Sequence, residues 1–221
     1  MNRLERAVLL EIGENPDSPD AFSDISPIRN SINDAIAEII MVTGSYKRLY
    51  QVAMEADKKF YSLAPEHGEI AWITDAILLT RQRRLEQTDF ALLKEENPRF
   101  FICTGTPTRY VPIDNDLVFF HPIAGSDTDI VELTCVMVPD AYTQDADRTF
   151  IRRDFERGVI HFAVSEYWAS RGDAKEALAH HSRYLDLVGL RRLFPAAQEY
   201  VPRFQTNKGN GNPEYLKGAV A

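Results

Sequence analysis

The sequence predicts an α+β fold: a helical core (N-terminal helices plus a C-terminal helical hairpin) with a β-rich insertion and an extended C-terminal tail. Three observations predict it. Apolar residues recur at three- and four-residue intervals near the start (Ile28, Ile32, Ala35, Ile36, Ile39, Val42) and again in the last third (Phe155, Val159, Phe162, Ala163), as amphipathic helices require. Between these stretches the pattern changes to short β-branched and aromatic runs broken by turn residues. Beyond Pro195 no periodicity survives, and Pro202, Pro213 and Gly209-Asn210-Gly211-Asn212 read as extended chain. The 221 residues thus divide into core helices over 1–45, a β-rich insertion with one short helix over 46–140, further core helices over 141–194 and an arm over 195–221.

Each element has its own signal. Leu4, Val8 and Ile12 share one face of a first helix that ends near Gly13, and a polar, Pro-containing connection follows. Ser26 reads as the N-cap of the second helix, with Pro27 at the first helical position, and Gly44 stops it. Residues 46–64 set Tyr50, Val52, Phe60 and Tyr61 around a polar centre at 55–58, which predicts a hairpin. Residues 72–80 read as a strand, 85–96 as a helix ended by Pro98, and 99–104 as a short strand before a turn at Gly105-Thr106-Pro107. Three strands are expected at 109–113, 117–121 and 130–138, the last alternating Val131, Leu133, Cys135 and Met137 with Glu132 and Thr134. After Pro139 comes a helix apolar on two sides: Phe155, Val159, Phe162 and Ala163 on one, Ile160, Val164 and Trp168 on the other. Gly172 breaks it, and Asp173 with Glu176 resembles a capping box for a last helix whose apolar face is Ala174, Ala177, Leu178, His181, Leu185 and Val188.

Composition bounds the function. Apolar residues are 44% and charged residues 26%, as in ordinary soluble domains, and no apolar run reaches the roughly 18–20 residues that cross a bilayer. The first residues carry acids in place of a signal-peptide core, so a soluble chain without membrane partners is expected. A net charge of −8 argues against gripping nucleic acid by phosphate neutralisation and suits a surface past which DNA moves without sticking. Cys103 and Cys135 are too few for a disulfide framework and read as small buried hydrophobes.

Nucleophile-elbow and metal-spaced cysteine motifs are absent from the sequence. Adjacent His180 and His181 point about 100° apart on a helix and cannot share an ion through one face. Glu176 and His180 are one turn apart and could co-ligate an ion, although an exposed helical pair is the commoner meaning. His161, beside two apolar stripes, reads as a hydrogen-bonded core residue, and His67 and His121, next to turn signals, read as exposed. Asp114, Asp116, Asp127 and Asp129 cluster around two loops without the spacing and bidentate acid of a calcium loop. No catalytic, cofactor-binding or metal site is therefore expected.

The run Gly105-Thr106-Pro107-Thr108-Arg109-Tyr110-Val111, then Leu117 to Pro122 and a strand ending Val136-Met137-Val138-Pro139, resembles the pattern of bacteriophage head–tail connector (adaptor) proteins. The helix over 155–170, the Arg171-Gly172-Asp173 turn, the helix over 174–187 with Tyr184, and an Asn33–Ile39 core in the second helix fit the same pattern, so the resemblance spans roughly residues 1–190. It implies a non-enzymatic virion protein of the neck, assembled in the host cytoplasm as a homo-oligomeric, dodecameric ring. That ring lies between the portal protein and the tail or nozzle protein, and genomic DNA passes through its lumen without sequence-specific binding. Ring closure needs heterologous faces, which suggests a subunit-interface helix through Phe155, Ile160, Val164 and Trp168. A tail that orders on binding suggests a portal-docking arm through Phe204, Lys208, Tyr215 and Leu216. Another neck or tail-completion protein shares this assembly logic, and a small α+β ligand-binding domain or enzyme is the reading from a different class.

Overall fold

The computed structural model describes residues 1–17, 25–143 and 150–189. The arm candidates Phe204, Lys208, Tyr215 and Leu216 lie outside the described residues. Helices and several sheets make the chain a mixed α+β protein, and its contacts divide it into two compact units. One contains the described residues of 1–35 and 153–189; the other runs from Ile36 to Arg152, so the boundary falls inside a helix.

The first unit is helical. Helix α1 (Arg3–Glu11) begins at an N-cap, Asn2, whose side chain accepts from the Leu4 amide at 3.2 Å, while Glu5 accepts from the Asn2 amide at 2.7 Å. These bonds satisfy amides that the first helical turn leaves unpaired. Helix α2 (Ser26–Thr43) starts one residue earlier than its Ser-Pro signal suggests, because the Ile25 carbonyl already accepts from the Arg29 amide at 3.0 Å. Ser26 therefore lies inside the first turn and is not the cap. Helices α4 (Arg153–Ser170) and α5 (Ala174–Val188) pack along each other through buried Val159, Ala163, Ala177 and Tyr184. Gly172 turns the chain between them at φ +80°, a conformation costly for any residue with a Cβ. Asp173 caps α5 by accepting from the Glu176 amide at 3.2 Å. Of the apolar face expected for α5, Ala177, His181, Leu185 and Val188 are buried, Ala174 is exposed and Leu178 is 37% exposed, and His180 and Tyr184 are buried beside them.

Among its described residues the second unit holds ten strands, a short helix and the end of α2. One sheet has the order β1 (Lys47–Ala53), β10 (Ile130–Val138), β3 (Glu69–Leu78), β4 (Arg83–Arg84). The other runs β2 (Phe60–Ser62), β8 (Leu117–His121), β7 (Arg109–Asp114), β5 (Glu86–Gln87), and β6 (Thr104–Gly105) pairs with β9 (Ile123–Ala124). The hairpin expected over 46–64 does not form. Its two strands join different sheets, β1 on β10 and β2 on β8, because pairing follows side-chain burial across the unit and not proximity in sequence. Residues 85–89 are not helical either: Leu85 is buried between β4 and β5, and helix α3 (Phe90–Glu96) starts only after Asp89 caps it through the Leu92 amide at 2.8 Å. The strand expected over 99–104 is a 3-10 turn at Phe100–Ile102 followed by β6.

Strands β7, β8 and β10 lie where the alternation and turn chemistry put them. Val131, Leu133, Cys135 and Met137 of β10 are buried, and register shifts at Thr134/Cys135 and Val136/Met137 bury Val136 as well. Side chains from both larger sheets meet in one core, including Tyr61, Ile73, Tyr110, Phe120 and Leu133. Beside it Phe119, fully buried, packs with the rings of Phe60, Phe90, Phe100 and Phe101 at centroid distances of 5.8, 5.4, 6.2 and 5.5 Å.

Candidate functional site

The most concentrated set of ligand-type side chains among the described residues lies in the helical unit. Three residues remote in sequence converge there: Glu11 at the end of α1, His161 in α4 and His180 in α5. One nitrogen of each imidazole and a Glu11 carboxylate oxygen all lie within 4.8 Å of one another. The packing of α4 on α5 brings the two rings to a centroid separation of 5.1 Å, with His161 Nδ1 and His180 Nδ1 3.0 Å apart. Glu11 arrives because α1 is held to α4, partly by the Arg3–Glu156 ion pair.

The environment favours neutral imidazoles. Burial pushes both histidines below the usual range, His180 being only 7% exposed. The proximity of His180 lowers His161 further, Arg183 lowers both and Arg157 lowers His161, while Glu11 opposes this at both rings and Glu176 at His180. Two Nδ1 atoms at 3.0 Å hold one proton between them, one ring donating and the other accepting. Such a pair can carry a hydrogen bond or present two lone pairs to a cation.

The other sequence candidates are dispersed. Glu176 is exposed in the first turn of α5, and His180 turns to His161 across the helices and not to a ligand partnership with Glu176 alone. His161 is hydrogen-bonded, as expected from its place between apolar stripes. His67 is exposed, but His121 is not: its Nδ1 is buried without a hydrogen-bond partner, beneath the rings of Phe100 and Phe119. Along α4, Val164 is completely buried, while Phe155, Ile160 and Trp168 are half-buried. The loop aspartates do structural work. Asp127 accepts from the Ala56 amide, and Asp129 is buried and accepts from Thr80 Oγ1 at 2.7 Å. Both cysteines are free, and burial pushes the Cys135 thiol up to about 11, so it stays protonated and inert near neutrality.

Two features of the β unit complete the surface. Phe60 and Phe101, with ring centroids 6.5 Å apart, are 42% and 39% exposed, and neighbouring Ile102 is 68% exposed. A cleft of about 370 Å³ is lined by Asp75, Arg84, Glu86, Gln87 and Tyr110, with Asp75 and Arg84 paired at 2.6 Å.

The His161–His180 pair is invisible when each histidine is considered on its own helix. A usable signal existed: the two positions lie on either side of the Gly172-Asp173 turn, where antiparallel helices bring residues face to face. Glu11 had no such signal, since the packing of α1 on α4 is non-local. No family model matches this chain and no curated protein matches it. Among the described residues no helix is long and apolar enough to cross a membrane.

Proposed function

We propose that the chain is a structural subunit of a bacteriophage head–tail connector, forming a homo-oligomeric ring between the portal and the tail and extending the DNA channel. The observation that carries the reading is the interrupted helical unit. Helices from the beginning and end of the chain belong to one unit, and residues 36–152 form a β-rich unit of their own, the order that the connector resemblance implies. In the finer reading, α1, α2, α4 and α5 are the connector's helical core, with α4 and α5 as its C-terminal hairpin. The half-buried Phe155, Ile160 and Trp168 would face a neighbouring copy, with buried Val164 holding the helix in place. The exposed pair Phe60 and Phe101 gives the β unit a second apolar surface of the kind that assembly covers. The net charge of −8 suits a lumen that repels DNA phosphates. The arm with Phe204, Lys208, Tyr215 and Leu216 would dock on the portal.

Mass photometry of the purified chain with and without its portal tests this. The expected result is a monomer or weak oligomer alone and a ring on the portal; a stable small dimer indifferent to portal would sink the reading. Deleting residues 195–221 is expected to leave the fold intact and abolish docking, and unchanged docking would remove the arm from the proposal.

A further inference from the structure

We propose that Glu11, His161 and His180 form a binding site for a borderline divalent transition metal of the zinc, cobalt or copper type, clipping α1 to the α4–α5 pair. The inference is independent of the connector reading. Four observations carry it. The donors come from three separate helices yet lie within 4.8 Å of one another, so tertiary structure assembles the site. Two imidazoles and a carboxylate are the donor set that zinc, cobalt and copper take, whereas magnesium and calcium prefer oxygen alone. The spacing also fits. With metal–nitrogen bonds of about 2.0–2.1 Å, two nitrogens in adjacent coordination positions lie roughly 2.9–3.4 Å apart, and the Nδ1 atoms are at 3.0 Å.

The fourth observation concerns protonation. Metal binding requires only that the ring donating through Nδ1 carry its proton on its own Nε2 instead, so that both Nδ1 atoms present lone pairs and both rings remain neutral. Three protein ligands leave a coordination position to water. Because α1 begins the sequence and α4 and α5 lie near the end of the described chain, the ion would cross-link distant segments and stabilise the helical unit by mass action.

The test is zinc and cobalt binding to the full-length, metal-stripped chain. Equilibrium dialysis is expected to find about one zinc per chain, with a rise in melting temperature as zinc is added. Cobalt is expected to give visible ligand-field bands that zinc bleaches. His161→Gln and His180→Gln are each expected to weaken zinc binding about 100-fold or more, since changes in outer-shell partners alone cost about 10–100-fold. Glu11→Gln is expected to weaken it less, and His67→Gln, at an exposed histidine outside the cluster, to leave it unchanged. Copper electron paramagnetic resonance of the unmutated chain provides a reading that does not depend on variants folding: coupling to two imidazole nitrogens is expected at one copper per chain. No zinc uptake, uptake unaltered by His161→Gln, or copper coupled to fewer than two nitrogens would each overturn the site and leave the pair as a hydrogen bond between histidines.

Discussion

The two units bury different kinds of chemistry. In the β-rich unit, interior side chains are nearly all aliphatic or aromatic, and Asp129 is its single buried polar residue among those described. The helical unit, with fewer described residues, buries Glu5, Ser165, His180 and His181. Apolar burial is non-directional and asks only for volume and contact. Buried polar groups need specific partners, and removing one partner strands the other at a cost of several kcal/mol. The β unit should therefore fail mainly when volume is removed, and the helical unit when a partner is removed.

The largest expected effect tests the first half of that contrast. Phe119→Ala empties the centre of a five-ring cluster and should cost about 3–5 kcal/mol, read from the urea midpoint. Phe119→Leu should recover most of it, because volume and not geometry is what the site requires. The second half predicts the opposite for Glu5, whose fully buried carboxylate accepts from Arg29 Nε at 2.7 Å as well as from the Asn2 amide. Glu5→Ala should cost about 3 kcal/mol or more, and changing Glu5 and Arg29 together to methionine should restore much of the loss. If the double variant is no better than the single, the pair is not what makes Glu5 necessary.

The same contrast explains what could be read from the sequence. Helices α2, α4 and α5 were legible because their signals are local: apolar spacing, Gly172 and the Asp173 cap all act within a few residues. Strands β7, β8 and β10 were legible for the same reason, through alternation bounded by turns. What failed was pairing. Tyr50 and Tyr61 look like facing members of a hairpin, yet Tyr50 lies opposite Leu133 and Tyr61 opposite Val118. Their partners lie more than fifty residues away, and nothing within residues 46–64 encodes them. The candidate site failed likewise, since Glu11 meets His161 and His180 only after three helices pack.

Two smaller effects sharpen the comparison at the backbone. Gly68 sits at φ +76° beside the end of β10, and a Cβ there would collide with the Val138 carbonyl oxygen. Gly68→Ala should therefore cost about 2 kcal/mol in the β unit, combining positive-φ strain with a shift of β10, as measured by thermal unfolding. Asp173→Ala removes only the side-chain acceptor for the Glu176 amide, so about 1 kcal/mol is expected. A cap loss exceeding the Gly68 loss would mean that α5 depends on its first turn more than the sheet depends on its loop.

The smallest effect concerns the one histidine in the β unit's aromatic cluster. Burial lowers the affinity of His121 for a proton, and Arg109 opposite it in the β7–β8 register lowers it further. Glu96 on α3 and the backbone hydrogen bond at Phe100 act in the opposite direction without overcoming this. The folded-state value therefore lies below the unfolded value of 6.5. In that interval the unfolded chain binds more protons than the folded one, so stability falls as pH falls. The contribution of His121 is fully present above about pH 6.5 and is lost as pH descends through the lowered folded value. His121→Gln keeps a polar side chain but cannot titrate. Subtracting its stability–pH curve from that of the unmutated chain should leave a difference that is flat above neutrality and declines toward acid, with contributions from distant groups cancelling. Parallel curves across that range would show that the aromatic cover over His121 opens to water, and the β unit would then be less sealed than its burial implies.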